Sequence, residues 1–298
     1  MILLTPPSFY RDDVTLLFDM DGTLTEARQL VRKPIVDDMS YLTTVAKVGI
    51  VSGSPLEYIE QQLKPLFDDK RTAKENIFIF PCNGTQAYKW CGNSLGFHQF
   101  YHTNIKDYIK GRSSYNTNPY RKLIDTVMDL QFRFLREFKN VDITGNFISY
   151  RGSMLNWCPI GRDSCNEVRD KFKIVDSDQN IRKKFHEILR VRLDASGFHD
   201  IDCALGGSTS IDIYPKGWDK THCLQHIRPS QAWFWGDRCE LGGNDYALYR
   251  ELARSNKAFT VSSPEDLRRS LRAHAPIDWY PHDLRTGELE RSSTIGSD

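Results

Sequence analysis

A short apolar segment followed by two closely spaced aspartates constrains this chain more than any other feature. Residues 14–18 read VTLLF, an apolar and β-branched run that is typical of a buried strand in a parallel sheet. Asp19 and Asp21 follow at the end of that strand, and Gly22 gives the backbone the freedom to turn away from the sheet. Because open α/β sheets place their chemistry beyond the carboxyl ends of their strands, we expect a functional site here.

The spacing of the two aspartates suits phosphoryl transfer. Two carboxylates separated by one residue can share a divalent cation. The first can attack phosphorus as a nucleophile, and the second can carry a proton to or from a sugar oxygen. The plainer interpretation is a strand-ending aspartate followed by a turn with a solvated aspartate. The full octet FDMDGTLT at 18–25 is much longer than such a pair, which favours the catalytic interpretation.

The composition narrows the class of protein. The chain has 298 residues, 40% of them hydrophobic and 27% charged, which is enough for one large domain or two ordinary ones. Its formal net charge of +1 creates no overall field for nucleic acid or membrane, so we expect neither as a partner. Its apolar runs are too short to cross a bilayer, and no signal-peptide pattern opens it. Its seven cysteines include no CxxC pair and indicate reduced thiols, so we expect a cytoplasmic protein.

The predicted elements divide the chain into three segments. Strands and helices alternate over 1–90 and again over 215–298, which favours a Rossmann-like α/β core with a parallel sheet. The middle segment, 91–214, is more polar and lacks this alternation. Its predicted elements are helices at 122–138 and 180–196 and strands at 147–151, 154–160 and 209–214. We therefore predict one core domain interrupted by an α+β cap domain at 91–214, with loose segments at 1–13 and from Pro276 onwards.

Six segments occur in an order that is typical of one enzyme family. They are FDMDGTLTEARQ (18–29), IVSGS (50–54), NGTQAYK (83–89), YRGSMLNWCPIGR (150–162), GGSTSIDIYPKGWDK (206–220) and FWGDRCELGGND (234–245). The ordered set resembles the eukaryotic-type phosphomannomutases of the haloacid-dehalogenase-like superfamily. The resemblance implies interconversion of mannose 6-phosphate and mannose 1-phosphate, which feeds GDP-mannose synthesis. It also implies Mg²⁺, a hexose 1,6-bisphosphate activator and a homodimer formed through the cap domain.

The resemblance assigns the metal and nucleophile roles within the core. Asp19 resembles the nucleophile that becomes aspartyl phosphate, and Asp21 resembles the acid/base, whose backbone carbonyl also binds the metal. Asp237 resembles the remaining protein ligand of Mg²⁺, with Asn244 and Asp245 in support. Mg²⁺ prefers oxygen ligands and keeps several waters, so two or three carboxylates suffice to hold it.

Positive charge is the other requirement of phosphoryl transfer, because charge spreads over the equatorial oxygens of the transferred group. Lys220 resembles the family lysine that neutralises these oxygens, although a lysine at a helix start is ordinarily a solvated residue. Arg151, Arg162 and Arg169 fall at the three cap arginine positions of the family, and Arg28 falls at its core position. Arginine binds phosphate oxygens in a bidentate way, which suits the second phosphate of a bisphosphate a sugar length away. Without the resemblance, four arginines among 40 basic residues would be read as surface charges.

Four further residues are candidates for substrate binding. Ser210 and Asp212 lie two apart on a predicted strand and so share one face, and their family counterparts bind the sugar and its distal phosphate. Ser52 and Ser54 follow another predicted strand, where hydroxyls and backbone N–H groups suit a phosphate. An ordinary turn with a serine N-cap is the alternative. Ser54 matches the family serine and Ser52 matches the wider superfamily, so the sequence leaves open which of them contacts phosphate.

Other functions are compatible with parts of this pattern. A sugar-phosphate phosphatase on the same fold would need Asp19, Asp21 and Lys220 but no second phosphate site. A relative active on glucose phosphates would differ only in preference, because mannose and glucose differ at one hydroxyl. A non-catalytic binding protein is disfavoured, since those three residues and Asp237 are all present.

Overall fold

The structure is a computed structural model that describes residues 11–111 and 118–277. Residues 1–10 and 278–298, which make up most of the two predicted loose segments, lie outside the described residues. In chain order the elements are β1 (Arg11–Phe18), α1 (Lys33–Val45), β2 (Ala46–Val51), α2 (Leu56–Asp68), β3 (Ile77–Phe80), β4 (Gln86–Trp90), β5 (Phe97–His102), α3 (Ile105–Lys110), α4 (Pro119–Glu137), β6 (Ile148–Tyr150), β7 (Leu155–Trp157), α5 (Asn166–Gln179), α6 (Ile181–Ala195), β8 (Ile201–Gly206), β9 (Ser210–Pro215), β10 (Ala232–Gly236), α7 (Tyr246–Ala253), β11 (Ala258–Thr260) and α8 (Pro264–His274).

The described strands form two sheets. The larger has seven strands in the order β11-β10-β1-β2-β3-β4-β5. Its first five strands run parallel, and β4 and β5 are added antiparallel at one edge. Strand β1 lies inside the sheet, where Leu17 is opposite Phe234 on one side and Gly49 on the other. The predicted α/β class with a parallel sheet is confirmed.

Both faces of β1 are buried, which explains its continuous apolar sequence. Leu16 and Phe18 point into a cluster formed with α1, α2 and α8. Leu17 points into the opposite cluster, which contains Phe234 and Leu248. Leu16, Leu17 and Phe18 are fully buried. A strand covered by helices on both faces gains from apolar side chains at successive positions, because each face of the sheet is removed from water.

The smaller sheet is antiparallel, with four strands in the order β6-β7-β9-β8. Leu155 and Trp157 on β7 and Ile213 on β9 face a cluster formed with helices α3 to α6. Asn156 and Asp212 alternate with these residues and are paired in register, so they lie on the other face of the sheet. The second face is therefore polar.

The cap contains a helix that the sequence did not reveal. Helix α5 has no continuous apolar stripe, because its buried positions are Arg169, Phe172 and Asp176. Two charged residues on the inner face hide the helical periodicity that the prediction relied on. The predicted helices at 122–138 and 180–196 correspond to α4 and α6.

The seven-stranded sheet extends beyond the boundary predicted at residue 91. Strand β5 pairs with β4, so the chain enters the smaller unit only after His102. It leaves that unit at the end of β9, Pro215. We propose that the cap domain begins after β5, and we use "core" for the larger sheet with its helices and "cap" for the smaller one. Among the described residues, no helix has the length and apolar content of a membrane span.

Gly84 occupies a position at which any side chain would be strained. Its φ of +83° is left-handed, and a Cβ here would lie 2.7 Å from the backbone nitrogen of Cys223. We expect Gly84→Ala to lower the free energy of unfolding by about 2–4 kcal/mol, since strain and overpacking add together. Gly92→Ala is the matched control, because Gly92 has a φ of +94° with nothing within 4 Å. It should lose about 1 kcal/mol. Equal losses in urea unfolding would contradict the proposed steric contact.

Candidate active site

The loop after β1 holds the two aspartates in different environments. Asp19 is 4% exposed, and its backbone N–H donates to Trp235 O at 2.9 Å. Asp21 is half-buried, and its Oδ1 accepts from the backbone N–H of Arg28 at 3.1 Å and from Gln62 Nε2 at 3.3 Å. Arg28 has a φ of +64°, a left-handed conformation that a non-glycine residue adopts at a cost. The strained backbone therefore serves to position Asp21.

Lys220 lies between two carboxylates at the centre of the site. It begins a 3₁₀ helix over Lys220–Gln225. Its Nζ donates to Asp19 Oδ1 and, at 2.6 Å, to Asp245 Oδ1. Although burial opposes its charge, Asp19 and Asp245 hold the pKa of Lys220 above its usual value. The side chain is completely buried and stays an ammonium ion.

Asp245 is held on both of its carboxylate oxygens. Its Oδ1 accepts from Lys220, and its Oδ2 accepts from the backbone N–H of Arg238 at 3.0 Å. Its own N–H donates to Arg238 O at 3.2 Å. Asp245 thus fixes the ammonium group and the loop that follows β10.

Three carboxylates meet around this ammonium. One oxygen from each of Asp19, Asp237 and Asp245 lies within 4.8 Å of the others. Burial, together with the charge of Asp245, raises the pKa of Asp237 to about 7. Burial likewise raises the pKa of Asp19, which Lys220 opposes and Asp245 reinforces. Three carboxylates against one ammonium leave an excess of negative charge that a cation would neutralise.

The surroundings of the cluster suit Mg²⁺. The donors are carboxylate oxygens, which this ion prefers. A Cβ on Gly22 would overlap Asp237 Oδ2, so only glycine leaves the carboxylate in place. Asn244, the residue before Asp245, has a buried Oδ1 that finds no hydrogen-bond partner among the described residues. The carboxylate of Asp21 is not part of the cluster, because it faces Arg28 and Gln62.

The predicted arginines gather on the cap side of the site. Arg28 Nη2 donates to Arg162 O at 3.5 Å, and Arg169 Nη2 donates to the same carbonyl at 3.2 Å. Burial and the charges of Arg151 and Arg169 lower the pKa of Arg162 to about 10. Within residues 11–111 and 118–277, none of these four arginines forms an ion pair with a carboxylate. A group of cations held mainly by neutral partners is a receptor for an anion.

The phosphate-loop candidates contact the cap through Arg151. Arg151 Nη1 donates to Gly53 O at 2.5 Å. Ser52 is buried, and its Oγ accepts from the N–H of Ser54 at 3.1 Å. Ser54 is half-buried, and its hydroxyl makes no hydrogen bond within residues 11–111 and 118–277. The geometry therefore leaves Ser54 as the freer of the two hydroxyls.

The two predicted residues of β9 are both buried in the cap. Asp212 Oδ1 accepts from Asn156 Nδ2 at 2.6 Å, and Asn156 Oδ1 accepts from Arg162 Nη1 at 3.3 Å. Asp212 is thus connected to the arginines. The Ser210 hydroxyl donates to Gly206 O at 2.9 Å, so its hydrogen atom is used in a contact within the β8–β9 hairpin.

Sequence reasoning missed several residues that shape the site. Gln62 positions Asp21, Asn156 links Asp212 to Arg162, and Thr209 Oγ1 accepts from Arg169 Nη1. Asn156 and Thr209 lie within the matched segments 150–162 and 206–220, which was the available signal. Gln62 lies in α2 between the segments, where nothing in the sequence marks it.

Comparisons with known proteins point to one enzyme family. A family model of eukaryotic phosphomannomutases matches residues 35–275. A phosphomannomutase of Drosophila melanogaster is 34% identical over 277 residues, which is 90% of this chain and 98% of the fly protein. One of Arabidopsis thaliana is 34% identical over 254 residues, 85% of this chain and 93% of that protein. One of Saccharomyces cerevisiae is 32% identical, with 86% and 92% covered.

Solved structures share the fold at low identity. An IMP-nucleotidase of Plasmodium falciparum superposes with a TM-score of 0.58 at 13% identity, covering 91% of this chain and 69% of that one. A sucrose-phosphatase of Synechocystis gives a TM-score of 0.50 at 13% identity, with 88% and 98% covered. These similarities support the architecture alone.

The carboxylate cluster predicts that Mg²⁺ stabilises the protein. At about 100 times the dissociation constant, binding to the folded state adds about 2.7 kcal/mol, a rise in melting temperature of about 5 °C. The rise should be smaller at pH 6 than at pH 8, because Asp237, whose pKa is about 7, is protonated at the lower pH. Asp237→Asn should remove most of the rise, whereas Asp125→Asn on the exposed face of α4 should leave it intact. An unchanged rise in Asp237→Asn would contradict the site.

Proposed function

This chain belongs to the eukaryotic phosphomannomutase family, and we propose that it interconverts mannose 6-phosphate and mannose 1-phosphate. The enzyme is an isomerase that moves phosphate within the sugar through an aspartyl-phosphate. One observation carries the proposal: the Asp19–Lys220 pair lies on the core side of the site and a group of arginines without carboxylate partners lies on the cap side. A sugar bisphosphate could place one phosphate at the Asp19–Lys220 pair and the other on the arginines.

Asp19 is the nucleophile of the proposed reaction. Its free carboxylate oxygen forms a bond to phosphorus while the bond from phosphorus to the sugar oxygen breaks. Lys220 donates to the other oxygen of Asp19 and keeps the carboxylate charged and oriented. Asp21 gives a proton to the departing sugar oxygen and takes it back when the reaction reverses. Asp19, Asp237 and Asp245 would hold Mg²⁺, which supplies positive charge to the phosphoryl oxygens when it is bound.

The arginines hold the phosphate that does not react. Arg162 and Arg169 are connected through Arg162 O, and Arg151 reaches the core at Gly53. When Asp19 carries phosphate, a sugar monophosphate binds with its own phosphate on the arginines and its free hydroxyl towards the aspartyl-phosphate. That oxygen attacks phosphorus while the bond from phosphorus to Asp19 breaks, Asp21 accepts the proton, and a sugar bisphosphate forms. The bisphosphate turns end for end and transfers its other phosphate to Asp19, which leaves the isomeric monophosphate. A hexose 1,6-bisphosphate starts the cycle by phosphorylating Asp19.

Contacts between core and cap support closure over the substrate. Arg151 of the cap donates to Gly53 O of the core, and Arg28 of the core donates to Arg162 O of the cap. Closure keeps water from the aspartyl-phosphate, which a mutase needs and a phosphatase does not. The same contacts open when the sugar has to turn.

The wider setting follows from the reaction and the surface. Mannose 1-phosphate is the sugar that GDP-mannose synthesis consumes, so we place the enzyme in that route and in the cytoplasm. A homodimer through the cap is supported by apolar side chains that remain exposed there, Ile174 on α5 at 72% and Val191 on α6 at 69%. The near-neutral net charge of +1 supports sugar phosphates, not nucleic acid or membrane, as the partners.

The nucleophile is tested by Asp19→Asn. An amide cannot form the acyl phosphate, so turnover should fall below about a hundredth of the wild-type value. Incubation with labelled hexose bisphosphate should leave no phosphate on the variant, as measured by acid-quenched mass spectrometry. A phosphorylated variant would remove Asp19 from this role.

The cap arginines distinguish a mutase from a phosphatase. We expect Arg162→Ala to lower catalytic efficiency with mannose 1-phosphate about tenfold to a hundredfold, because a charged contact to phosphate is lost. Hydrolysis of p-nitrophenyl phosphate should change little, since that ester has no second phosphate. Arg190→Ala, on the exposed side of α6, is the matched control. Equal losses on both substrates, with an unchanged melting temperature, would favour a phosphatase.

A further inference from the structure

Asn83 is buried beside the site, and its carbonyl oxygen has no hydrogen-bond partner. The residue is 5% exposed. Its Oδ1 has no donor within the part of the chain that the structure describes. Nearly all buried polar groups in folded proteins are paired, because an unpaired one keeps the full cost of leaving water. An orphaned amide oxygen at the edge of an active site therefore calls for an external donor.

The backbone holds Asn83 in place at a further cost. Asn83 has a φ of +63°, and Cys82 before it has a φ of +50°. Two successive non-glycine residues in the left-handed region are uncommon, and such strain is concentrated at functional sites. The N–H of Asn83 donates to Ser52 O at 2.8 Å, and the N–H of Cys82 donates to Ser54 O at 3.0 Å. The strained turn thus fixes Asn83 against the loop over 52–54.

Asn83 of the core and Asp212 of the cap, a candidate substrate-binding residue, both lie next to Gly53. A Cβ built on Gly53 would lie 3.4 Å from Asn83 Oδ1 and 3.7 Å from Asp212 Oδ2. The second oxygen of Asp212, Oδ1, is already bonded to Asn156. Arg151 Nη1 donates to Gly53 O. An oxygen of the core and an oxygen of the cap therefore flank Gly53, close to a cap arginine.

The chemistry of these two oxygens selects the group that binds them. Both accept hydrogen bonds, and a phosphate dianion offers only acceptors, so phosphate suits the arginines and not this pair. A sugar hydroxyl donates a hydrogen bond. We propose that Asn83 accepts a hydrogen bond from a ring hydroxyl of the hexose and is a specificity-determining residue of this enzyme. The proposal rests on the proposed function, since it concerns the sugar held at the same site.

A hydroxyl contact of this kind is tested with substrates that lack one hydroxyl. We would measure catalytic efficiency for mannose 1-phosphate and its 2-, 3- and 4-deoxy analogues with the wild type and with Asn83→Gly. Glycine removes the amide and tolerates the left-handed backbone. With mannose 1-phosphate, Asn83→Gly should lose about tenfold, whereas p-nitrophenyl phosphate hydrolysis should change less than about twofold.

One deoxy analogue should identify the hydroxyl. For that analogue, wild type and Asn83→Gly should have equal efficiency, because neither can form the contact. Asn83→Asp, which keeps an acceptor oxygen and tolerates the same backbone, should still discriminate among the analogues. An equal loss in Asn83→Gly with every analogue and with p-nitrophenyl phosphate would overturn the proposal and leave Asn83 a structural residue.

The controls separate this inference from folding and from the proposed function. Asn256 is also left-handed, with a φ of +55°, but is exposed in the core away from the loop over 52–54, so Asn256→Gly should leave every rate unchanged. Melting temperatures of all variants check the fold. If the wild type hydrolyses sugar phosphates without isomerising them, the proposed function fails. The deoxy series can still be measured by phosphate release, so Asn83 is judged independently.

Discussion

The buried contact of Lys220 with Asp19 and Asp245 is the interaction on which this structure depends. An ammonium ion that is completely removed from water needs charged partners within hydrogen-bond distance, and two carboxylates provide them. Those carboxylates come from the end of β1 and from the loop before α7, far apart in the sequence. The pair therefore joins the central strand to the last α/β unit of the core. The carboxylate cluster at this centre needs further positive charge to become neutral, so a cation bound there would also stabilise the fold.

The cap completes the electrostatic pattern by a different means. Its arginines are held chiefly by backbone carbonyls and amide oxygens, as in the contacts of Arg162 with Asn156 and of Arg169 with Arg162 O. Neutral partners fix the direction of a guanidinium group without cancelling its charge. The lowered pKa of Arg162, caused by burial and neighbouring cations, reflects this arrangement. The cap thus holds positive charge and the core holds negative charge, which in the proposed function a phosphate and a metal ion would neutralise.

Much of this architecture was predictable from the sequence. The features that were not predicted were missed for different physical reasons. The apolar run of β1 and the aspartates behind it predicted the parallel sheet and the position of its site, because burial and turns leave local patterns. Helix α5 was hidden because Arg169 and Asp176 occupy its buried face. The extension of the core sheet to β5 was missed because that edge strand is largely exposed and its aromatic residues do not alternate with polar ones. The contacts of Gln62 and Asn83 depend on tertiary neighbours that no local pattern records.

The cap is joined to the core by two chain crossings, one after His102 and one after Pro215. The first crossing is fastened on the core side by the N–H of Thr103, which donates to Thr85 O at 2.9 Å. The second leads directly into the helix of Lys220, whose ammonium is locked between carboxylates. The two crossings are fixed points, and the line through them is an axis. The cap can rotate about this axis more readily than it can slide along the core. The cap closure that we propose would then return the arginines to the same distance from Asp19 each time. In the proposed reaction, a sugar bisphosphate that binds in either direction would therefore meet the same separation between the arginines and Asp19.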